Sequence, residues 1–299
     1  MDLHIHSRAS DGSLAPLDIL HLAREIGLAA IALTDHDAID GAKEIASAIG
    51  LETDFTASAG ENIINKPNPF FISGVEISAA PPPRIKVSGS FHILGYGFDL
   101  DHPEFNKSLT VQQAARKNRN PQIINRLNDM GVDISLAEVA AASGSPRIGR
   151  PHIAALMVEK GYARSIDDAF DNYIGKGKPA YVDKPRITVE AAINLIRSAG
   201  GIAALAHPGL LTVALPSRIS DLIGALADMG LGGLEVYYPG HDGNQFAAFF
   251  ELARVHNLVV TGGTDFHGEV NPDIRLGTGR GNFNVPFSVY ENLVTRLDS

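Results

Sequence analysis

The chain has 299 residues, 44% of them hydrophobic, with a net charge of −9 and no cysteine. That length can bury a sizeable core, as one large α/β domain or as two domains. The composition excludes a disulfide framework and any thiolate metal site. The lack of a long apolar run excludes a transmembrane helix, and the acidic balance argues against a stable nucleic-acid partner. The opening DLHIHS has no basic run followed by an apolar stretch, so no secretory signal is read and a cytoplasmic enzyme is expected.

Residues 2–6 read as a first strand. His4 and His6 flank Ile5, and residues two apart in a strand point the same way. Two imidazoles on one face at a strand end can bind one metal ion. An edge strand with two solvated histidines fits that pair alone equally well. Asp11 follows in the loop, within reach of a neighbouring ion.

A helix is expected over Pro16 to Ile26, stopped by Gly27. LAAIALTDHD is a buried strand ending at Thr34, Asp35, His36 and Asp37, with a helix over Ala38–Ile49. An N-cap role is expected for Asp37. Residues 51–69 read as a polar loop. FFISGVEIS is a strand with Glu76 near its end, and SFHILGYGF a strand carrying His92. From about Pro103 to Arg186 strand-like runs vanish. Helices are expected over Val111–Met130, Leu136–Ala142, Pro151–Lys160 and Ser165–Tyr173. The α/β rhythm then resumes. Helices over Val189–Ser198, Ile219–Met229 and Gln245–His256 alternate with strands ending at His207, at GGLEVYYPG, and at Asp265 and His267. A last helix covers Phe287–Leu297.

Nine candidate metal ligands thus fall at or just after the carboxyl ends of expected strands: His4, His6, Asp11, His36, Glu76, His92, His207, Asp265 and His267. Parallel barrels build their sites on that face. Imidazole and carboxylate suit zinc, manganese and iron alike. Six histidines and three carboxylates exceed what one ion needs, so two or three divalent ions are implied. Three such ions, three carboxylates and one hydroxide leave about +2 by formal counting, which favours an anionic phosphate over a neutral amide. His21, His102, His241 and His256 lie away from strand ends and read as surface or packing residues.

The set DLHIHS, SDG, TDHD, GVEIS, HILGYG, AHP and TDFH resembles the polymerase and histidinol phosphatase (PHP) superfamily over nearly the whole chain. Within it the chain looks like the branch of 3′,5′-nucleotide bisphosphate phosphatases and cyclic phosphate dihydrolases. The resemblance implies an α/β fold, a distorted (β/α)7 TIM-like barrel over 1–102 and 187–299, with a helical cap inserted over 103–186. It also implies a trinuclear site. His4, His6, Glu76 and Asp265 would hold one ion. Glu76, His92 and His207 would hold a second, and Asp11, His36 and His267 a third. Glu76, His207 and Asp265 are placed at the reacting centre, where hydroxide bridging the ions would attack phosphorus. Arg8 departs from the Thr or Ser usual in the family and either adds an active-site cation or points outward.

Residues 103–186 carry a net charge of +4 and the remainder −13. A cap of opposite sign suits an anionic ligand. Arg116, Lys117, Arg119 and Arg126 share one expected helix. Arg147, Arg150 and His152 surround a turn, and Lys176 and Lys178 sit in GKGKP. Arg150, His152, Arg119 and Lys178 are the residues expected to hold a second phosphate remote from the metals. The expected substrate is a small phosphorylated metabolite, foremost a nucleotide 3′,5′-bisphosphate hydrolysed to nucleoside 5′-monophosphate and phosphate. A cyclic phosphodiesterase, a 5′-3′ exonuclease on short oligonucleotides and an amidohydrolase are the rivals.

Overall fold

A computed structural model describes residues 1–50, 69–143, 148–215 and 218–299. Arg147 and all but the last residue of the loop expected over 51–69 lie outside the described residues.

Seven strands follow one another across the main sheet. They are β1 (Asp2–Ile5), β2 (Ala30–Leu33), β3 (Phe70–Ala80), β5 (His92–Tyr96), β7 (Ile202–Leu205), β9 (Gly233–Tyr237) and β10 (Val259–Gly262). The short β6 (Ile187–Thr188) pairs with the end of β3, and β4 (Val87–Ser88) pairs with β8 (Thr212–Val213) apart from the main sheet. The sheet curls until its ends meet. The His6 N–H donates to the Phe266 carbonyl at 2.8 Å, and the Asp265 N–H to the His4 carbonyl at 2.9 Å. The result is the distorted barrel, and no helix among the described residues is long and apolar enough to cross a membrane.

One strand departs from the parallel pattern expected for it. β5 runs antiparallel to both β3 and β7. His92 therefore stands at the amino end of its strand, and the reversal carries it to the face where the other strands present their carboxyl ends. Glu76 also sits inside β3, four residues before its end.

Strand alternation divides the barrel's apolar side chains into two cores, except in β1, where a register shift between Asp2 and Ile5 goes with Leu3 and Ile5 falling in different cores. Ile5, Ile31, Leu33, Val75, Ile77 and Ile93 pack outward against helices α1 (Pro16–Glu25), α2 (Asp40–Ala48), α7 (Val189–Ser198), α8 (Ile219–Asp228) and α9 (Gly243–Val255). Leu3, Ala32, Ile72, Leu94, Tyr96 and Ala204 share a second core with α10 (Phe287–Leu297). Glu76 follows the parity of Ile72, and His92 that of Leu94. Both carry their polar groups on the side facing α10's core, above its apolar filling.

Between β5 and β6 the chain forms α3 (Pro103–Asp129), α4 (Leu136–Ser143), α5 (Arg150–Glu159) and α6 (Ile166–Ala169), the last continued by a π-helical turn over Phe170–Ile174. Helix α3 begins eight residues before the apolar pattern at Val111 suggests. Pro103 suits a first helical position, and His102 Nδ1 accepts from the Phe105 N–H at 3.3 Å. The first turns of α3 bury Phe105 and Leu109 in the barrel's outer core. Further along, Ile123 and Leu127 join Val139, Ile153, Met157 and Ile174 in a third, separate core.

Candidate metal centre

The nine expected ligands converge. Glu76 lies at the middle, buried in β3. Its Oε1 is 2.7 Å from His92 Nδ1 and 3.0 Å from His207 Nε2. Its Oε2 is 2.8 Å from His36 Nδ1, 3.2 Å from His6 Nε2 and 3.5 Å from His4 Nε2. Asp265 Oδ1 closes that side at 3.1 Å from His6 Nε2 and 3.3 Å from His4 Nε2. On the far side Asp11 faces His6, His36 and His267 at 3.6–3.7 Å.

Three groups have donor atoms close enough to share an ion. They are His4, His6, Glu76 and Asp265; His36, Glu76 and His92; and His6, Asp11, His36 and His267. The first matches the expected set. In the second, His36 takes the place expected of His207, which falls in none of the three groups but keeps its 3.0 Å approach to Glu76; in the third, His6 joins the expected residues.

Hydrogen bonding shows that the residues fit metal ions. His4 Nε2, both ring nitrogens of His6, Asp11 Oδ1, His36 Nδ1, Glu76 Oε2 and His207 Nδ1 are buried without a hydrogen-bond partner. Such atoms cost free energy unless something satisfies them, and nearly all of those atoms turn toward the same cluster. The electrostatics agree. Burial opposes charging His6, yet the negative charge of the adjoining Asp265 and Glu76 carboxylates raises it to about 10. Burial opposes ionising Glu76, Asp11 and Asp265, yet the surrounding imidazoles hold all three well below the usual carboxylate range. These carboxylates demand neighbouring positive charge, which divalent ions supply.

Local backbone strain aims several of these groups. Asp37, His207 and Asp265 are three of the four non-glycine residues with positive φ among the described residues. The left-handed region disfavours side chains, and its use gathers at functional sites.

Residues that sequence reasoning missed support the ligands. Glu235, fully buried in β9, places Oε1 2.8 Å from His4 Nδ1 and accepts the His207 N–H through Oε2 at 2.6 Å. It thereby leaves His4 Nε2 for the centre. A glutamate inside the apolar run GGLEVYYPG was the available signal. Asp2, also buried, accepts N–H groups of His4, Thr264 and Gly277 and joins the first strand to the loop before Asp265. The Tyr238 hydroxyl donates to Asp265 Oδ2 at 3.2 Å. Asp35 receives Ser7 and Ser10 and braces the Asp11 loop.

Two expectations are corrected. Asp37 does not cap α2, which starts at Asp40 after Ile39. It is fully buried and bonded to Arg116 and Lys184 of the 103–186 segment. His152 does not face a ligand either. The Gly149 N–H donates to its Nδ1 at 3.2 Å, so Nε2 carries the proton and donates to the Asp11 carbonyl at 3.2 Å. It fastens the Asp11 loop to the cap.

A cavity of about 290 Å³ opens beside the centre. Asp11, His36 and His92 form its metal side, and Arg116, Arg119, Arg150, Lys176, Lys184 and Arg186 supply six cations opposite. Lys176 lines it where Lys178 was expected; Arg8 is exposed and off the lining. The Arg150 guanidinium lies 5.4 Å from the Phe170 ring centre and 5.6 Å from that of Tyr181.

A barrel mouth that gathers six histidines and three carboxylates beside a cationic cavity defines a metal-dependent hydrolase of phosphate esters, and comparison with known proteins agrees. Residues 2–118 match the PHP domain, and the chain belongs to the PHP family of metal-dependent phosphoesterases. It is 33% identical over 280 residues to the 5′-3′ exoribonuclease Rnm of Escherichia coli, covering 92% of this chain and 87% of that one. It is 31% identical over 284 residues to the 3′,5′-nucleoside bisphosphate phosphatase of Chromobacterium violaceum, covering 92% and 90%. Among solved structures, a metal-dependent phosphoesterase from Bifidobacterium adolescentis superposes with a TM-score of 0.77 at 27% identity, covering 99% of this chain and 95% of that one.

Proposed function

We propose that this phosphoesterase removes one phosphate from a nucleotide 3′,5′-bisphosphate, giving the nucleoside 5′-monophosphate, and that three divalent ions, of manganese, iron or zinc, occupy its centre. The observation that carries this reading is the shared cavity. Its metal side takes the ester to be cleaved, and its cation side takes a second anion a short distance away. Burial and neighbouring guanidinium groups penalise the charges of Arg119 and Arg150. Guanidinium stays protonated near neutrality, so the crowded cations gain from an anionic ligand.

When bound, the ions supply a nucleophilic oxygen at neutral pH and neutralise charge on the phosphoryl oxygens. The chain's own residues orient the reaction. Glu76, between His92 and His207 on one oxygen and His4, His6 and His36 on the other, fixes the middle of the centre. Arg119 and Arg150 hold the second phosphate, so the ester reaches the centre already oriented. Arg150 is pre-set for this by its aromatic neighbours and its bond to the Ile174 carbonyl at 3.3 Å.

The test is phosphate release from a panel of 3′,5′-bisphosphates, 5′-monophosphates and cyclic esters, after reconstitution with each metal. Release from the bisphosphates foremost is expected. Turnover of cyclic esters alone, or of amides, overturns the reading. The likeness to the Escherichia coli exoribonuclease favours a second reading, removal of nucleotides from the 5′ end of short RNA. Digestion of an end-labelled oligonucleotide separates the two.

A further inference from the structure

Asp37 follows the candidate ligand His36 directly, and its carboxylate is bonded to Ser78, Arg116 and Lys184 rather than to any candidate ligand. Arg116 Nη2 donates to its Oδ2 at 2.9 Å and Lys184 Nζ at 2.8 Å. The barrel grips the same side chain: the Ser78 N–H donates to Oδ1 at 2.9 Å and the Ser78 hydroxyl to Oδ2 at 3.1 Å. Its backbone is held at both ends as well. The Asp37 N–H donates to the Glu76 carbonyl at 2.9 Å, and Gln113 Nε2 donates to the Asp37 carbonyl at 2.9 Å. The residue holds φ at 53°, a conformation kept only where its surroundings impose it.

We infer that Asp37 is a positioning residue for specificity: it sets Arg116 and Lys184 at a fixed distance from the metal centre, and so selects substrates whose second phosphate matches that distance. Both cations line the cavity together with His36. Both come from the 103–186 segment, Arg116 from α3 and Lys184 from the stretch after Tyr181, and no residue of their own segment is bonded to both in this way among the described contacts. The anchor is instead one residue of the barrel, next to one metal ligand and bonded to the backbone of another. Burial and the nearby Arg116 work against the charge on Lys184, whereas Asp37 favours it. The same carboxylate thus keeps the ammonium charged as well as placed.

This inference rests on the bisphosphate reading and deepens it. Asp37→Asn removes the charge at nearly constant shape, and asparagine tolerates positive φ. For the bisphosphate, KM is expected to rise about tenfold or more, the scale of one charge-assisted hydrogen bond, with kcat changed far less. KM for p-nitrophenyl phosphate, which has no second phosphate, moves much less, and metal content by elemental analysis is retained. In an Arg116→Ala/Lys184→Ala background, Asp37→Asn has no further effect on KM, because the groups it positions are gone. Equal losses on both substrates, or a full additional loss in that background, overturn the inference. Should Asp37→Asn not fold, Ser78→Ala takes its place; a raised bisphosphate KM supports the inference and an unchanged one overturns it. If the native protein shows no preference for the bisphosphate, that reading fails by itself. The cycle is then read on inhibition by inorganic sulfate, where Asp37→Asn weakens inhibition only while Arg116 and Lys184 are present.

Discussion

Glu235 holds His4 through a 2.8 Å contact to Nδ1 while accepting the backbone N–H of His207 at 2.6 Å. Two ligands from different strands therefore depend on one buried carboxylate. Glutamine keeps the shape but has a single acceptor oxygen for two donors. Glu235→Gln is expected to weaken metal affinity about 10–100-fold, as outer partners of ligand histidines do. Metal titration of the stripped protein, monitored by calorimetry, measures this. Activity at saturating metal recovers more than the affinity does.

Arg150 separates the two halves of the proposed substrate. Replacing it with Ala removes a cation held between Phe170 and Tyr181 whose hydrogen bond goes to the Ile174 carbonyl and not to a candidate metal ligand. Turnover of a 3′,5′-bisphosphate is expected to fall about tenfold or more in kcat/KM, the scale of a charge-assisted contact to phosphate. A simple monophosphate loses much less. Steady-state kinetics on both substrates check the split, and equal losses count against a distal-phosphate role.

Much of the candidate metal centre was legible because the residues that could hold ions are short polar interruptions in apolar strands. TDHD, TDFH and HIH stand out against buried runs, and the five candidate ligands they mark do meet Asp11, Glu76, His92 and His207. Glu235 was passed over because its one signal, a lone acidic residue in an apolar strand, has no partner pattern along the chain to say what it serves. The direction of β5 was hidden for a related reason: HILGY has the same alternation whichever way it runs. Asp37 misled because aspartate before a helix usually caps it. Its partners Arg116 and Lys184 are 79 and 147 residues away, beyond any local signal. The cap's cations were visible as a charge excess, but which of them face the cavity depends on packing. His152 turned to the Asp11 carbonyl, and Lys176 took the place expected of Lys178 on the lining.

Lys184 gives the cavity a pH dependence. Burial, with the like charges of Arg116 and Arg119, lowers it from 10.5 to about 8 despite Asp37. The same contact pulls Asp37 well below its usual range, so the pairing favours the aspartate while the lysine bears a net penalty. The sign follows from proton counts. Between about pH 8 and 10.5 the unfolded chain holds this proton and the folded one does not, so the lysine's share of stability rises with pH there. Below pH 8 both states are charged and the penalty is fully present. Ligand binding runs the other way, since the anion needs the ammonium. For the bisphosphate, kcat/KM is expected to fall above about pH 8, and Lys184→Arg removes that fall because guanidinium does not titrate there. A pH–rate profile without that difference between the two proteins counts against Lys184 as an anion ligand.

Metal loading should release protons. Without ions the imidazoles answer the buried carboxylates by protonation: His6 is raised to about 10, and His4 and His207 are also raised despite burial. At pH 7.5 His6 is then cationic, whereas a histidine must be neutral to bind metal. Ions that replace these protons displace them into solution, at least one per centre. Calorimetric titration of stripped protein with manganese or zinc, repeated in buffers of different ionisation enthalpy, reads the number directly. Release near zero at pH 7.5 would mean that the imidazoles are already neutral without ions and that the carboxylates are balanced in some other way. Glu76→Gln tests the cause within the same measurement. It removes the carboxylate that faces His4, His6, His36, His92 and His207, so it lowers both the affinity for ions and the number of protons released.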